Sequence, residues 1–521
     1  MRSVLVEKYL SLGVALHRER RLAEAEGFYR QALEAAPGDA EVRILLAEAL
    51  REQKRFLDSL AALGDLETAP ALNSRGMTLS DQGRLTEALP ILSNAVSLDP
   101  GDPDPLVNLA RLVSRMSKAE EAMGYYLAAL KLDPMHVGAL SGLGMLERDL
   151  RHYENGRECL RRALKREPNR ADLWNNLALI EDEMGERAAA TASYRRCLEI
   201  DPGHAAAECN LGMALLAQGK LAPGFEAYEA RWKLQGLPPR PFSQPQWRGE
   251  DLTGRTILLH AEQCLGDTLH FCRYAALVKR RGAARVLLEV QAPLKELMRT
   301  LAGVDGILAQ NKEPLPDFDC HCPLLSLPTL FKTSLMSVPA EIPYLHADPG
   351  LAEDKRRWLN QTPWRKIGLA WQGNAKFRGE DWRSPGLALF ANALREAPNA
   401  HVVCLQAGGR EEFLAAFGDQ ALDLGHEVDS QTAPFLETAA LMAGLDLVIA
   451  SDTSVPHLAG AMGVPTWLLL PEPAEWRWLE GREDSPWYPG LRLFRQPVRD
   501  DWQGAASQLA QALRAWGASC A

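Results

Sequence analysis

The sequence lacks several features that would define a class of protein at once. No apolar run approaches the roughly 18 residues of a membrane-spanning helix, so we expect no transmembrane segment. Basic residues are not in excess, since 58 Lys and Arg stand against 68 Asp and Glu, and the net charge of −10 argues against a nucleic-acid partner. Glu7 and Lys8 interrupt the first apolar run, which predicts that the N-terminus is not a secretory signal peptide.

The cysteines show no pairing pattern. There are nine, an odd number, scattered through 521 residues, and a chain of this length can build its own core. The pattern predicts reduced thiols and a cytoplasmic protein. Hydrophobic residues make up 46% and charged residues 24%, as in ordinary globular proteins, and the length predicts about two to four domains.

An internal repeat dominates residues 1–235. Prolines that each follow an acidic residue recur every 34 residues, at Pro100, Pro134, Pro168 and Pro202. Small residues recur in the same frame, at Gly76, Ala110, Gly144, Ala178 and Gly212, and again at Ala88, Ala122, Gly156, Ala190 and Gly224. This pattern resembles the tetratricopeptide repeat, whose unit is two antiparallel helices that cross closely at small side chains. We predict an all-α solenoid of about seven units, the second short and degenerate.

A solenoid of this kind is curved, and its concave face usually holds a peptide or a partner protein. We therefore expect a peptide or protein partner on that face. The alternative is that the array only packs against the rest of the chain or mediates self-association.

The second half changes character. Residues 236–254 are rich in proline and predict an extended linker. Beyond them, apolar runs of strand length alternate with helical segments, which predicts parallel sheets. The alternation stops and restarts, so we predict two Rossmann-like α/β lobes, residues 255–348 and 349–521, with a cleft between them. The predicted strands are 256–260, 285–290, 306–309, 366–371, 401–406, 447–450 and 467–470.

The most informative stretch is residues 446–470. Two apolar runs flank a polar turn in which Thr453 or Ser454 can cap a helix, and Pro456 suits the first turn of that helix. A polar turn at the carboxyl end of a parallel strand, leading into a helix N-terminus, is where phosphates bind. The stretch therefore predicts a site for a nucleotide diphosphate.

Five segments carry a more specific resemblance: residues 258–271, 318–328, 368–374, 381–384 and 451–460. They resemble the glycosyltransferase domain attached to bacterial tetratricopeptide proteins, which is similar to the lipopolysaccharide heptosyltransferase family. Repeats before a two-lobed transferase are also the architecture of the O-linked N-acetylglucosamine transferases. The resemblance implies a GT-B fold, a nucleotide-sugar donor with its binding site in the C-terminal lobe, no metal or other cofactor, and inversion by single displacement.

The resemblance also assigns roles to residues. Asp267 is the expected general base for the acceptor hydroxyl, although its place at the start of a helix also suits an N-cap, and both roles can hold together. When no metal is used, cations and helix N-termini must meet the charge of the leaving phosphates. His457 either touches phosphate or is a packed histidine. The expected donor-binding residues are Gly373, Asn374, Lys376, Arg383, Ser384, Gln406, Asp452, Thr453 and His457.

Two local patterns imitate metal sites. Asp317 and Asp319 form a partial Asp-x-Asp pair, and Cys320 and Cys322 lack a second pair of zinc ligands, so we predict no metal site.

The related family usually has glycine where Cys264 stands. The resulting prediction is a glycosyltransferase that acts on an acceptor recruited by the repeats. The alternative is a non-catalytic scaffold for protein interaction, built on a degenerate transferase fold.

Overall fold

The computed structural model describes residues 3–234, 240–373, 379–397 and 399–518. The chain divides into two compact units. The first contains Met1–Met184 and Ala192–Gly203, and the second contains Gly185–Thr191 and His204–Ala521. Within the described ranges, no helix is both long and apolar enough to cross a membrane.

Helices follow one another in pairs from Val4 to Tyr228, as the repeat pattern predicts. In chain order they are α1 (Val4–Arg18), α2 (Leu22–Ala35), α3 (Ala40–Glu52), α4 (Phe56–Leu63), α5 (Ala69–Asp81), α6 (Leu85–Leu98), α7 (Pro103–Arg115), α8 (Ala119–Leu132), α9 (Val137–Asp149), α10 (Tyr153–Arg166), α11 (Ala171–Glu183), α12 (Arg187–Ile200), α13 (Ala205–Ala217) and α14 (Leu221–Tyr228). The second pair is short, as predicted, because α4 has only 8 residues, and α14 in the last pair has the same length.

The recurring small residues lie where paired helices cross. A Cβ atom added to Gly156 of α10 would lie 2.6 Å from the carbonyl oxygen of Gly144 in α9. Ala110 and Ala122 hold the equivalent positions in α7 and α8, and both are fully buried. The small residues therefore recur every 34 residues because the backbones of paired helices lie close together at these positions, which only small side chains permit.

The last helical pair, α13 and α14, belongs to the second unit. Phe225 of α14 packs edge-on against Phe271, with 6.2 Å between ring centroids. Arg231, just beyond α14, is 1% exposed and donates two hydrogen bonds to Glu262. The compact unit thus begins before the boundary at residue 235 drawn from the repeat pattern, because the last helices bury side chains in the α/β region.

The first lobe of the second unit contains a parallel sheet of four strands: β1 (Thr256–His260), β2 (Arg285–Val290), β3 (Gly306–Ala309) and β4 (Cys320–Pro323). Their order is β3-β2-β1-β4. The first three match their predicted ranges, whereas β4 was not predicted. The helices of this lobe are α15 (Leu265–Phe271), α16 (Ala275–Arg280), α17 (Lys295–Met298) and α18 (Leu327–Leu330).

The described part of the proline-rich segment runs along this sheet. The backbone N–H of Trp247 donates to the carbonyl of His321 in β4 at 2.7 Å, and the Trp247 side chain is 3% exposed. Phe242 lies against the His321 ring, with 4.8 Å between centroids. The segment is therefore extended and attached to the first lobe.

The second lobe contains a parallel sheet of six strands: β5 (Arg365–Ala370), β6 (Ala400–Cys404), β7 (Ala421–Leu422), β8 (Leu447–Ser451), β9 (Thr466–Leu470) and β10 (Leu491–Arg495). Their order is β10-β9-β8-β5-β6-β7. The helices are α19 (Pro349–Leu359), α20 (Glu380–Arg383), α21 (Leu387–Leu394), α22 (Arg410–Phe417), α23 (Leu436–Met442), α24 (Ser454–Ala461) and α25 (Trp502–Ala518). Helix α25 packs on α21, β9 and β10 of its own lobe.

A pair of glycine substitutions tests the account of the helix crossings. Gly156→Ala should destabilise the repeat region by about 1–3 kcal/mol, because the added methyl group meets backbone that has no rotamer to change. Gly124→Ala in α8 is the control, since no atom lies within 4 Å of its added Cβ. It should leave stability unchanged or raise it by up to about 1 kcal/mol through helix propensity. Thermal unfolding followed by circular dichroism measures both, and equal midpoints would contradict the crossing.

Candidate functional site

The two lobes meet at the carboxyl ends of their central strands. Helix α15, which follows β1, packs against α24, which follows β8. A Cβ atom added to Gly266 of α15 would lie 3.1 Å from Cδ2 of His457 in α24. In parallel sheets the loops at this edge form the ligand-binding crevice. The loops after β1, β5, β8 and β9 carry the polar side chains described next.

Asp267 lies in the first turn of α15 and is 8% exposed. One carboxylate oxygen, Oδ2, accepts the backbone N–H of Cys264 at 2.9 Å, which completes a capping box at the start of the helix. The other oxygen, Oδ1, accepts from the guanidinium of Arg477, in the loop after β9. The capping role is therefore present, and the role as general base stays a prediction.

Arg477 joins the two lobes. It is 8% exposed, and its guanidinium contacts Asp267 of the first lobe and Glu475 of its own loop. It also lies over the ring of Trp476, 4.2 Å from the centroid. A guanidinium removed from water needs such partners, because a buried unpaired charge is strongly unfavourable.

A third carboxylate, that of Asp452, also faces this arginine, and burial affects both Asp452 and Glu475. Burial raises the pKa of Asp452, while the positive charge of Arg383 opposes the rise. The pKa of Glu475 is also raised because protein atoms displace water around it, with Arg477 opposing and Asp452 adding to the rise. The Glu475 side chain keeps 35% of its surface open, which limits that effect. The crevice thus concentrates negative charge around two arginines.

A second group of polar atoms lies at the end of β5. The Glu380 carboxylate accepts the backbone N–H of Gly373 at 2.5 Å, the Ser384 hydroxyl at 2.5 Å and the Arg383 guanidinium at 2.7 Å. The Ser384 hydroxyl also lies 3.4 Å from that of Ser451, the last residue of β8. Three of the predicted donor-binding residues are therefore brought together, around a glutamate.

The other predicted donor-binding residues have varied surroundings. The Thr453 hydroxyl accepts the N–H of Val455 at 3.3 Å and so caps α24, as predicted for this turn. Gln406 accepts the backbone N–H of Gln372 at 3.2 Å, close to the end of β5. Asn374 and Lys376 lie outside the described residues.

His457 lies in the interior of the lobe contact. It is 5% exposed, its ring stacks on Trp478, and its Nδ1 lies 3.0 Å from the Tyr488 hydroxyl. Nδ1 of His270 in the first lobe lies 2.9 Å from the same hydroxyl. Burial holds the pKa of both histidines well below the usual value, so neither is a cation. The position of His457 is therefore that of a histidine packed in the interior, which was one of the two alternatives for this residue.

Several residues of the crevice were not singled out from the sequence: His270, Glu380, Ser451, Glu475, Arg477 and Tyr488. One signal was available. Glu475 and Arg477 follow the apolar run of β9, so the rule that selects the end of β8 selects them as well. The pairing of Arg477 with Asp267 carries no such signal, because the two are 210 residues apart.

A separate cavity of about 440 Å³ lies in the second unit beside β1 and β4. Its wall combines aromatic and basic side chains, among them Trp232, Arg240, Trp247, Arg248, His260 and His321. Burial lowers the pKa of His260 to about 3, and His321 and Arg240 lower it further. The two histidines are therefore neutral neighbours, 3.2 Å apart, rather than a cationic pair.

The tetratricopeptide repeat family model matches residues 9–40, 73–137 and 141–205. The helical N-terminal region is therefore an array of tetratricopeptide repeats, as predicted, followed by an α/β region with parallel sheets. A curated relative, the FlbA protein of Caulobacter vibrioides, is 28% identical over 335 residues, which cover 58% of this chain and 54% of FlbA. The chain thus spans about half the length of this relative.

Several solved structures resemble part of the chain. They include the APC/C hetero-tetramer Cut9–Hcn1, 20% identical over 40% of this chain and 43% of that one, with a TM-score of 0.36. A tetratricopeptide repeat protein of Parabacteroides merdae is 16% identical over 45% and 94%, with a TM-score of 0.35. MamA from Desulfovibrio magneticus RS-1 is 19% identical over 32% and 93%, with a TM-score of 0.28.

Removing Arg477 should destabilise the second unit. Arg477→Met leaves Asp267 buried without its charge partner, and we expect a loss of about 3–5 kcal/mol. Urea unfolding followed by tryptophan fluorescence measures it, because all tryptophans except Trp174 lie in this unit.

A surface arginine provides the control for that loss. Arg482→Met breaks a pair with Asp484, whose side chain is 68% exposed, and should change stability by no more than about 1 kcal/mol. The double variant Arg477→Met with Asp267→Asn should recover part of the loss. Similar losses in Arg477→Met and Arg482→Met would contradict the assigned role.

The buried histidines predict the direction of the pH dependence of stability. His270 and His457 stay neutral in the folded protein, whereas in the unfolded chain they protonate near pH 6.5. Below that pH the unfolded state binds more protons, so stability falls as the pH falls, by about 1.4 kcal/mol per pH unit for each histidine. Urea unfolding between pH 7.5 and 5.5 should show a smaller slope in His270→Gln. His346→Gln, at an exposed position, should keep the full slope.

Proposed function

We propose that the second unit is a GT-B glycosyltransferase that moves a sugar from a nucleotide-diphosphate donor to an acceptor hydroxyl. The supporting observation is the convergence of polar loops from two parallel α/β lobes at one crevice. Asp267 comes from the first lobe, and Arg383 and Asp452 come from the second. The sequence resemblance to heptosyltransferase-like domains supports the same reaction class and implies no metal cofactor.

The proposed donor side is the second lobe. The Arg383 guanidinium, the Ser384 hydroxyl and the Gly373 N–H point toward one place and are the kinds of groups that hold phosphate oxygens. Thr453 caps α24, so the N-terminus of that helix contributes positive potential beside Asp452. These groups would stabilise the charge that develops on the leaving nucleotide diphosphate.

The proposed acceptor side is the first lobe. Asp267 takes the proton of the acceptor hydroxyl, the acceptor oxygen bonds to the anomeric carbon, and the nucleoside diphosphate leaves with the electron pair of the broken bond. Attack opposite the leaving group inverts the configuration. The tetratricopeptide array would recruit the molecule that carries this hydroxyl, which is a common use of such repeats.

One observation favours a second function. Asp267 is engaged by both Arg477 and the Cys264 N–H, as expected of a residue that holds two lobes together. In that reading the α/β unit is a rigid platform, and the chain is a non-catalytic scaffold that presents its repeats to protein partners. The two functions differ in whether the crevice binds a nucleotide.

A titration with nucleoside diphosphates separates the two functions. The panel varies the nucleobase, and we expect calorimetry to find one nucleoside diphosphate that binds the wild type. At a concentration of 100 times its Kd, that nucleotide should raise the free energy of unfolding by about 2.7 kcal/mol. Arg383→Ala should weaken that binding by roughly tenfold or more, because a charge-assisted hydrogen bond is lost.

Arg514→Ala provides the matched control. It removes a guanidinium from the same lobe, but that group pairs with Glu396, and both side chains are exposed. Its affinity should equal that of the wild type. If no member of the panel binds at millimolar concentration, the scaffold function replaces the transferase.

A further inference from the structure

Glu380 occupies the centre of the proposed donor site. Its carboxylate accepts from a backbone N–H, a hydroxyl and a guanidinium, those of Gly373, Ser384 and Arg383, at 2.5 to 2.7 Å. Only 11% of the Glu380 side-chain surface is exposed. All three hydrogen-bond donors therefore point at an anion that the chain itself supplies, the Glu380 carboxylate.

The same three kinds of donor bind phosphate oxygens. Guanidinium groups, hydroxyls and backbone N–H groups form short, charge-assisted hydrogen bonds with carboxylates and phosphates alike. Glu380 and a phosphate group therefore compete for one set of hydrogen-bond donors. Neither can hold all three donors while the other is bound.

We propose that Glu380 is a stand-in for one donor phosphate, and that the nucleotide-diphosphate donor binds by displacing its carboxylate from Gly373, Arg383 and Ser384. This inference rests on the proposed function and deepens it. Glu380 thereby lowers the affinity of the site for ligands in general. Only a ligand that supplies a replacement anion can displace the Glu380 carboxylate.

The charges around the site support an exchange rather than simple addition. Three carboxylates already face Arg383 and Arg477, those of Asp452, Glu475 and Asp267. The charges of these neighbours contribute to the pKa shifts of Asp452 and Glu475. A diphosphate added while Glu380 stayed in place would bring another anion into this crowded crevice. Departure of one carboxylate relieves that repulsion.

The displacement needs only a small movement. Glu380 is the first residue of α20, a helix of four residues, and a glutamate carboxylate can turn away through its side-chain torsions alone. Arg383 lies one turn further along α20, and the torsions that move the Glu380 carboxylate do not move the backbone of Arg383. The three hydrogen-bond donors could then donate to the phosphate instead of to Glu380.

The test is calorimetric titration of inorganic pyrophosphate and of the nucleoside diphosphate panel into the full chain. Glu380→Gln keeps the shape of the side chain but removes its charge, and Glu380→Ala removes the group altogether. We expect both variants to bind roughly tenfold more tightly than the wild type, or better. Glu396→Gln is the matched control, because it removes a carboxylate of the same lobe that pairs with Arg514 at the surface. It should bind as the wild type does.

The outcomes separate this inference from the function on which it rests. If the wild type binds and the Glu380 variants bind equally or more weakly, the inference is overturned, Glu380 serves to organise Arg383, and the donor site stands. If no variant binds any probe, the donor site and the inference fall together. Tighter binding that persists when Arg383→Ala is added to Glu380→Gln would place the gain elsewhere and also overturn the inference.

Discussion

The contact between Arg477 and Asp267 is the constraint on which the geometry of the crevice depends. The guanidinium comes from the second lobe and the carboxylate from the first, and each is about one-tenth exposed. A shift of one lobe against the other would take the Asp267 carboxylate out of reach of Arg477 while it stayed buried, which is far more costly than breaking a surface pair. The lobes are therefore held in register at the place where the proposed donor and acceptor must meet.

The same contact sets a condition on catalysis. Both oxygens of the Asp267 carboxylate already accept hydrogen bonds, one from the Arg477 guanidinium and one from the Cys264 N–H, so an acceptor hydroxyl must compete with these donors for the carboxylate. Asp267 can act as a base in the proposed reaction only if the bound substrates draw Arg477 away. A leaving diphosphate is the kind of anion that does so, because it offers the guanidinium stronger hydrogen bonds. Release of Glu380 and release of Asp267 would then have the same cause, the arrival of phosphate.

Sequence patterns predicted the architecture better than the crevice. The strands β1 and β2 have their predicted bounds because each contains a buried apolar run, and β3 also matches although it is a partly buried edge strand. Strand β4 was missed because its sequence, Cys-His-Cys-Pro, is short and includes a partly exposed histidine. The repeats were visible because close helix crossing imposes a small residue at a fixed period. By contrast, the partners of Asp267, His457 and Arg383 depend on side-chain contacts that no local pattern encodes.

The residues that the motifs did select show why a motif alone leaves roles open. Thr453 was expected at a phosphate, and in the structure it caps α24 by accepting the N–H of Val455, while its role at a phosphate stays a prediction. His457 is different, since its Nδ1 faces Tyr488 and its ring faces Trp478 in the interior. A neutral, buried histidine contributes shape and a hydrogen bond but no charge. The cations available to a diphosphate among the described crevice residues are therefore Arg383 and Arg477, each of which now holds a carboxylate that phosphate would have to replace.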